Sequence, residues 1–420
     1  MLVHNFFEND ARVLRESAAL ADAGHALEVV AVRGPRNAAS ERIGRLGVTR
    51  LDCDPLPTKL IRRILAAMGR QRPGASGTVG EIGSLGGAIA SSGLGRSALR
   101  LHLWLTHRKF VRRATHVATA KAPDVVVAHD LDTLEPAHRA ARRLGVRLVY
   151  DSHELWLDRE PIPPPTRFGR SRWRRLEHRL IGEADLVVTV SDLLANELVR
   201  RYGIEQPSVI RNLPSTAGKA AGGESLRARV GVAADAPVAL YLGGLMRDRG
   251  IEELVAAAPG VEGLHVLLVG SGEPRYVAAI EAEADRLRIP DRVHLAGSVP
   301  SSRAVRAASE ADVGLVANLH GGLNHQYTLP NRLFTYLAAG VPVVGNHSPA
   351  FERLILDNEV GATCDPRSHG ELASALRWVL DPARHERLRA NARALAAREN
   401  WESEARLLLE AYARLERARR

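Results

Sequence analysis

A chain of 420 residues that is 45% apolar and 25% charged carries enough apolar material for two ordinary cores, which argues against disorder. Its two cysteines, Cys53 and Cys364, stand far apart in sequence, against a disulfide framework or cysteine metal cluster and in keeping with a reducing cytoplasm. No apolar run nears the ~18 residues of a membrane-spanning helix, and no secretory signal pattern opens the chain.

The charge is one-sided. Residues 1–213 carry 33 Lys and Arg against 23 Asp and Glu, whereas residues 214–420 carry 25 of each, so the whole excess of +10 lies in the first half. That asymmetry points to an anionic partner or surface there, beside a general preference for arginine, since lysine occurs only at 59, 109, 121 and 219.

In chain order, "MLVHN" has the pattern of the end of a buried strand, either very short or begun upstream. Asp10 then caps a helix with Val13, Leu14, Ser17, Ala18 and Ala21 on one face and Gly24 after its end. Strands are expected at Leu27–Val32, Val125–His129, Arg147–Tyr150, Leu186–Val190 and Ser208–Ile210. Residues 72–95, rich in Gly and Ser, read as a loop, and residues 158–175 as an irregular stretch joining a proline run to clustered arginines. Ser191 caps a helix that Gly203 ends.

A second series of strands follows at Val238–Tyr241, Val266–Val269, Val293–Leu295, Val313–Val316 and Val341–Val344. Strands alternating with helical patterns predict an α/β fold of two Rossmann-like, doubly wound parallel-sheet domains. We place the first at 1–211, a Pro/Gly/Ala linker at 212–225 and the second at 226–399. The amphipathic helix 400–420, with Leu407, Leu408, Ala411 and Leu415 on a face, is expected to pack back on the first domain.

In such sheets ligands sit beyond the carboxyl ends of the strands. "ALYLGGLMRDRGIEEL" sets Gly243, Gly244, Arg247 and Arg249 there, either an anion site or a tight turn with solvated arginines, and "LLVGSGEP" repeats the pattern with Gly270 and Gly272. "DVVVAHDLDTL" and "LVYDSHEL" bring His129, Asp130, Asp151, His153 and Glu154 to strand ends; polar groups on consecutive units converge, although a lone His is commonly structural. Asp130 and Asp132 match an acid-x-acid metal spacing without a supporting ligand cluster, so no metal is expected. In "LPNRLFTYLAAGVPVV", Asn331, Arg332 and Thr335 point away from the core face of Leu333, Phe334 and Leu337, and Arg332 opposes the helix dipole unless an anion lies nearby.

Together with "NDARVLRESAALADAGH", "ADLVVTVSDLLANEL", "VIRNLPS", "RVHLAGSVP", "ADVGLVAN" and "NWESEA", these motifs resemble the family-four retaining glycosyltransferases of the GT-B fold over nearly the whole chain. The resemblance implies two domains facing a central cleft, a nucleotide sugar held mainly by the C-terminal one, an acceptor held mainly by the N-terminal one, and no cofactor or metal. It assigns Arg249 to the diphosphate and His129 to the sugar and phosphate of the donor as the catalytic pair. Gly243, Gly244, Arg247, Gly270, Gly272, Leu295, Gly297, Asn331, Arg332 and Thr335 fall on the donor side; Asn5, Asn9, Asp130, His153 and Glu154 fall on the acceptor side.

Three departures stand out. Gly244 occupies a position usually basic, "NFFEND" lacks paired glycines, and the usual paired glutamates are Tyr327 and Thr335 here, the second in place of the residue that usually binds ribose. The implied function is metal-independent transfer of a sugar to a glycan, lipid-linked or small-molecule hydroxyl with retention. The alternatives are a GT-B pair that binds nucleotide sugar or glycan without turnover, and an epimerase or hydrolase using Asp151 and Glu154. Arg167, Arg170, Arg172, Arg174 and Arg175 around Trp173 either meet an anionic membrane surface, making the protein peripheral at the inner membrane face, or are simply solvated. No nucleic-acid module is present.

Overall fold

The computed structural model describes residues 1–8, 10–35, 37–54, 93–159, 166–215, 225–319 and 321–417, with the side chains of 93–96 and 98 left aside. The chain divides into two compact units, Met1–Ile210 with Leu408–Arg420, and Arg211–Leu407. The loop expected at 72–95 and most of the 212–225 linker lie outside the described residues.

In the first unit, Leu27–Val32 pairs in parallel with Leu46–Leu51, which pairs antiparallel with Ser40–Ile43. Val125–His129, Arg147–Ser152, Leu186–Thr189 and Ser208–Val209 form a parallel set of four. Leu2 joins the two sets through parallel bridges to Val30 and Ala128, so the opening residues act as the central strand. The topological switch point therefore lies beside Leu2, and His129 stands at the carboxyl end of the neighbouring strand. Helix Ala11–Asp22 begins where Asp10 accepts the Val13 amide at 3.1 Å, and helix Asp192–Tyr202 is capped by Ser191 and closed by Gly203 in the left-handed region.

The second unit holds a six-stranded, all-parallel sheet in the spatial order Val293–Leu295, His265–Val269, Val238–Leu242, Val313–Val316, Val343–Asn346, Gly361–Cys364. Relative to chain order this is 3-2-1-4-5-6, with its switch point between Val238–Leu242 and Val313–Val316. One side chain interrupts the ladder at that point. The Tyr336 hydroxyl donates to Leu240 O at 3.1 Å and accepts from Leu242 N at 2.8 Å, and its ring lies where a Cβ on Gly314 would come within 2.4 Å.

Several expectations need correction. Ser40–Ile43, Leu46–Leu51 and Gly361–Cys364 are strands that the sequence reading passed over, and the last strand of its second series starts at Val343 rather than Val341. Arg167–Leu180 is helical, capped by Thr166, where irregular chain was expected. On the final helix, Trp401–Arg417, it is Tyr412 that joins Leu408, Ala411 and Leu415 in burial, while Leu407 is 45% exposed. No described helix is long and apolar enough to cross a membrane.

Candidate functional site

Two polar clusters stand at the two switch points. In the first unit the centre is Asp151, buried at the end of its strand. Arg12 donates to it twice, Nε to Oδ2 at 2.9 Å and Nη2 to Oδ1 at 2.7 Å, and also to Ile210 O at 2.7 Å. His129 Nδ1 lies 3.0 Å from Asp151 Oδ2, His153 Nε2 lies 3.0 Å from the same oxygen, and the two ring nitrogens are 3.2 Å apart. Asp130 accepts the His153 amide at 3.1 Å, and its Oδ2 is 3.4 Å from His153 Nδ1.

The backbone pays for this arrangement. Asp130 sits at φ 65° and ψ 165°, a region nearly reserved for glycine, and strain of this kind collects where function over-determines the conformation.

Charge follows from these contacts. Burial opposes ionisation of Asp151, but Arg12 and then His153 outweigh it and hold the carboxyl well below the usual range. His153 loses to burial and gains more from Asp130 and Asp151, ending raised to about 9. His129 is lowered by burial, and burial raises Asp130 to about 6. Burial also raises Glu16 to about 8. Its Oε1 lies 2.9 Å from Arg12 Nε but makes no hydrogen bond of proper angle, so at neutral pH the contact is better read as a mostly protonated carboxyl beside an arginine than as a full ion pair.

One atom of the cluster stands out. His129 Nε2 is buried without a hydrogen-bond partner. His129, Asp151 and His153 are also close enough to share a metal ion. Both Asp151 oxygens are already held by the Arg12 guanidinium, however, and a dication there would meet that charge, so we assign the three as a hydrogen-bonded network rather than as metal ligands. Asp132 turns away to His4 Nδ1 at 3.0 Å, so it forms no pair with Asp130.

The other acceptor-side residues serve the surroundings. Glu154 Oε1 accepts from Arg159 at 2.9 Å. Asn5 is exposed and shapes its own loop, accepting the Phe7 amide at 2.9 Å and donating to Asp10 at 2.9 Å. Asn9 lies outside the described residues.

In the second unit the convergent group is Asn318, just past Val313–Val316. Arg249 Nη1 donates to its Oδ1 at 2.7 Å, and Arg332 Nη2 lies 3.4 Å from the same oxygen while donating to Ala317 O at 2.6 Å. The Arg332 guanidinium sits 5.2 Å from the centre of the Tyr241 ring, and its Nε is buried and unpartnered. Burial lowers its pKa. Among the described residues no carboxylate pairs with either guanidinium, so the two carry positive charge without an acidic partner there.

Glycines pack the neighbouring strand ends. Gly243 donates to Val269 O and Gly270 to Gly297 O, both at 2.9 Å. A Cβ on Gly270 would fall 1.8 Å from Gly243 O, and one on Gly272 2.6 Å from Leu245 O. Leu295 ends the strand that leads to Gly297. Gly244 is exposed, and a Cβ there would meet only the Met246 side chain, at an ordinary 3.6 Å.

Of the remaining donor-side residues, Thr335 alone departs from its expected placement. Arg247 is not part of the arginine pair; it is exposed, over the Tyr276 ring at 5.4 Å and 3.7 Å from Glu252. Asn331 accepts from Asn212 through its side chain at 3.2 Å. Thr335 does not face away from the core: it is buried, and its hydroxyl donates to Asn331 O at 3.0 Å, the usual return of a helical threonine to the preceding turn. The sequence reading missed Arg12, Glu16 and Asn318. The signal for the first two was an Arg and a Glu four apart on the apolar face of a helix; for Asn318 it was a polar residue two positions past a buried strand.

Both units are doubly wound sheets with polar clusters at their switch points, the architecture of GT-B glycosyltransferases. Family models match two segments, Glycosyltransferase Family 4 over residues 89–213 and Glycosyl transferases group 1 over 236–382. A D-inositol 3-phosphate glycosyltransferase of Xylanimonas cellulosilytica is 27% identical over 70% of this chain and 73% of its own. A glycogen synthase of Mycobacterium tuberculosis is 25% identical over 71% and 70%.

Among solved structures, sucrose-phosphate synthase from Thermosynechococcus elongatus superposes with a TM-score of 0.73 at 20% identity, covering 97% of this chain and 93% of that one. Anabaena HepE in complex with UDP and glucose gives 0.65 at 16%, covering 98% of each. The chain belongs to the family-four glycosyltransferases of the GT-B fold, and it is a glycosyltransferase.

Proposed function

We propose that this protein moves a sugar from a nucleotide-sugar donor to a hydroxyl acceptor with retention of anomeric configuration. The observation that carries the reading is the Arg249–Asn318–Arg332 group: two guanidinium groups converge at a switch point with no carboxylate partner among the described residues, and one N–H is buried and unused. A diphosphate supplies the missing negative charge and acceptor oxygens. The similarly folded HepE, crystallised with UDP-glucose, supports a donor of this kind.

As the bond to the anomeric carbon breaks, negative charge grows on the departing diphosphate, and Arg249 and Arg332 are placed to stabilise it. The acceptor hydroxyl attacks from the face the diphosphate leaves and gives its proton to a diphosphate oxygen, so no protein nucleophile is required. Because arginines meet the leaving charge, the reaction proceeds without a divalent cation, and excess EDTA leaves the rate unchanged.

A thermal-shift panel of nucleoside diphosphates, followed by transfer assays on each hit, tests the reading. Stabilisation with no release of nucleotide from any sugar donor, with or without acceptors, would move it to a binding protein without turnover. The third possibility, an epimerase or hydrolase using Asp151, is disfavoured because Arg12 occupies both of its oxygens.

A further inference from the structure

We propose that His153 is a positioning residue: it carries the single positive charge of the histidine pair and thereby holds His129 as a neutral imidazole that gives Nδ1–H to Asp151 and leaves the Nε2 lone pair open.

The two ring nitrogens lie 3.2 Å apart against one carboxylate oxygen, which Arg12 also touches, so two imidazolium ions there would repel each other and the arginine. One charge settles on the ring with more anions and more water. His153 has two carboxylates, Asp151 at 3.0 Å and Asp130 at 3.4 Å, and a side chain 22% exposed; His129 has Asp151 alone and a side chain 2% exposed. The other titratable and charged groups bearing on the pair are Asp10, Arg12, Glu16, Glu154, Arg159 and Tyr412. Of these Arg12 and Glu16 both bond to Asp151, and the Arg12 charge too disfavours a second proton on the histidines.

The tautomer follows. A carboxylate only accepts, and Asp151 Oδ2 at 3.0 Å is nearer to His129 Nδ1 than His153 Nε2 at 3.2 Å, so we place the proton of neutral His129 on Nδ1, facing Asp151, rather than leaving Nδ1 to accept from His153. Nε2 is then a lone pair, buried and without a partner. A phosphate oxygen, which also only accepts, is excluded from it, and a hydroxyl is suited to it. Resting on the glycosyltransferase reading, this assigns His129 to a hydroxyl of the bound sugar or acceptor rather than to the diphosphate.

The test is nitrogen-15 NMR of histidine-labelled full-length chain without ligand, with resonances assigned from His129→Gln and His153→Gln. At pH 7.5 His129 should be neutral with Nδ1 protonated, and His153 should be protonated on both nitrogens. His153→Gln, which keeps a polar side chain and removes the charge, should raise the His129 titration by at least one pH unit, and His153→Lys should restore it. A protonated His129 or an Nε2–H tautomer in the wild type, or an unmoved titration in His153→Gln, overturns the proposal.

If His153→Gln does not fold, Asp130→Asn decides. It removes one counter-charge, so the His153 titration should fall, and no change counts against the proposal. Since the measurement uses the free protein, failure to find a sugar donor leaves its outcome intact, and a wrong tautomer leaves the glycosyltransferase reading intact.

Discussion

Arg249 and Arg332 meet on one oxygen: Oδ1 of Asn318 lies 2.7 Å from Arg249 Nη1 and 3.4 Å from Arg332 Nη2. Two like charges are drawn together around a neutral amide with no carboxylate partner among the described residues, an arrangement that suits an anion. Arg332→Ala and Arg249→Ala are each expected to weaken nucleoside diphosphate binding about 10- to 100-fold, the loss of a charge-assisted hydrogen bond worth ~1.5–3 kcal/mol. Isothermal titration checks this, with melting temperatures to confirm folding.

Two glycines of one loop region should behave oppositely. Gly270→Ala places a methyl 1.8 Å from Gly243 O at a backbone φ of 159°, and should cost about 3 kcal/mol or more in denaturant unfolding. Gly244→Arg enters an exposed position where its Cβ meets only Met246, at van der Waals distance. It should leave stability within ~0.5 kcal/mol and tighten binding of the diphosphate.

Thr335 separates the family pattern from this molecule. Its hydroxyl is spent on Asn331 O inside the helix, so Thr335→Val should cost about 1 kcal/mol of stability and leave nucleotide affinity within about twofold. A tenfold loss of affinity in titration would return Thr335 to the ribose.

Stability should depend on pH in a stated direction. His153 is raised from 6.5 to about 9, and Glu16 from 4.5 to about 8. A group whose folded pKa is raised contributes its full stabilisation below the unfolded value and loses it as pH climbs through the folded one. The melting temperature of the first unit should therefore fall as pH rises from about 4.5 to 8 through Glu16 and from about 6.5 to 9 through His153. Glu16→Gln should flatten the part below about 8 and His153→Gln the part nearer 9. Asp151, held low, acts oppositely and destabilises on acidification below its usual range.

Helix Arg167–Leu180 exposes Arg167, Arg170, Arg172, Arg174 and Arg175, buries its one acid, Glu177, and leaves Phe168 73% exposed. Flotation with vesicles containing anionic lipid at low salt should carry the protein, neutral vesicles should not, and Arg170→Glu with Arg174→Glu should abolish the effect. Absence of binding to anionic vesicles would show these arginines to be solvated.

Much of this was legible in the sequence because periodicity and capping are local. Leu27–Val32, Val125–His129, Val293–Leu295 and Val313–Val316 are strands at the expected residues, and Asp10, Ser191 and Gly203 cap as expected. The short strands Ser40–Ile43 and Gly361–Cys364 escaped, the first because all four of its residues are exposed and the second because Gly and Thr dilute its apolar signal. At the site, strand-end residues such as His129 and His153 could be read from position alone. Arg12 could not, since its value comes from Asp151, 139 residues away. Thr335 was misread because an eight-residue helix buries five consecutive side chains, Leu333 to Leu337, more than a one-sided pattern allows.

The measurement that bears most directly on the account is calorimetric titration of UDP, GDP and ADP into wild-type protein and Arg332→Ala. At least one diphosphate should bind the wild type and lose about 10- to 100-fold in the variant. If none binds, or if all bind both proteins alike, the arginine pair is not the donor site and the proposed reaction loses its foundation.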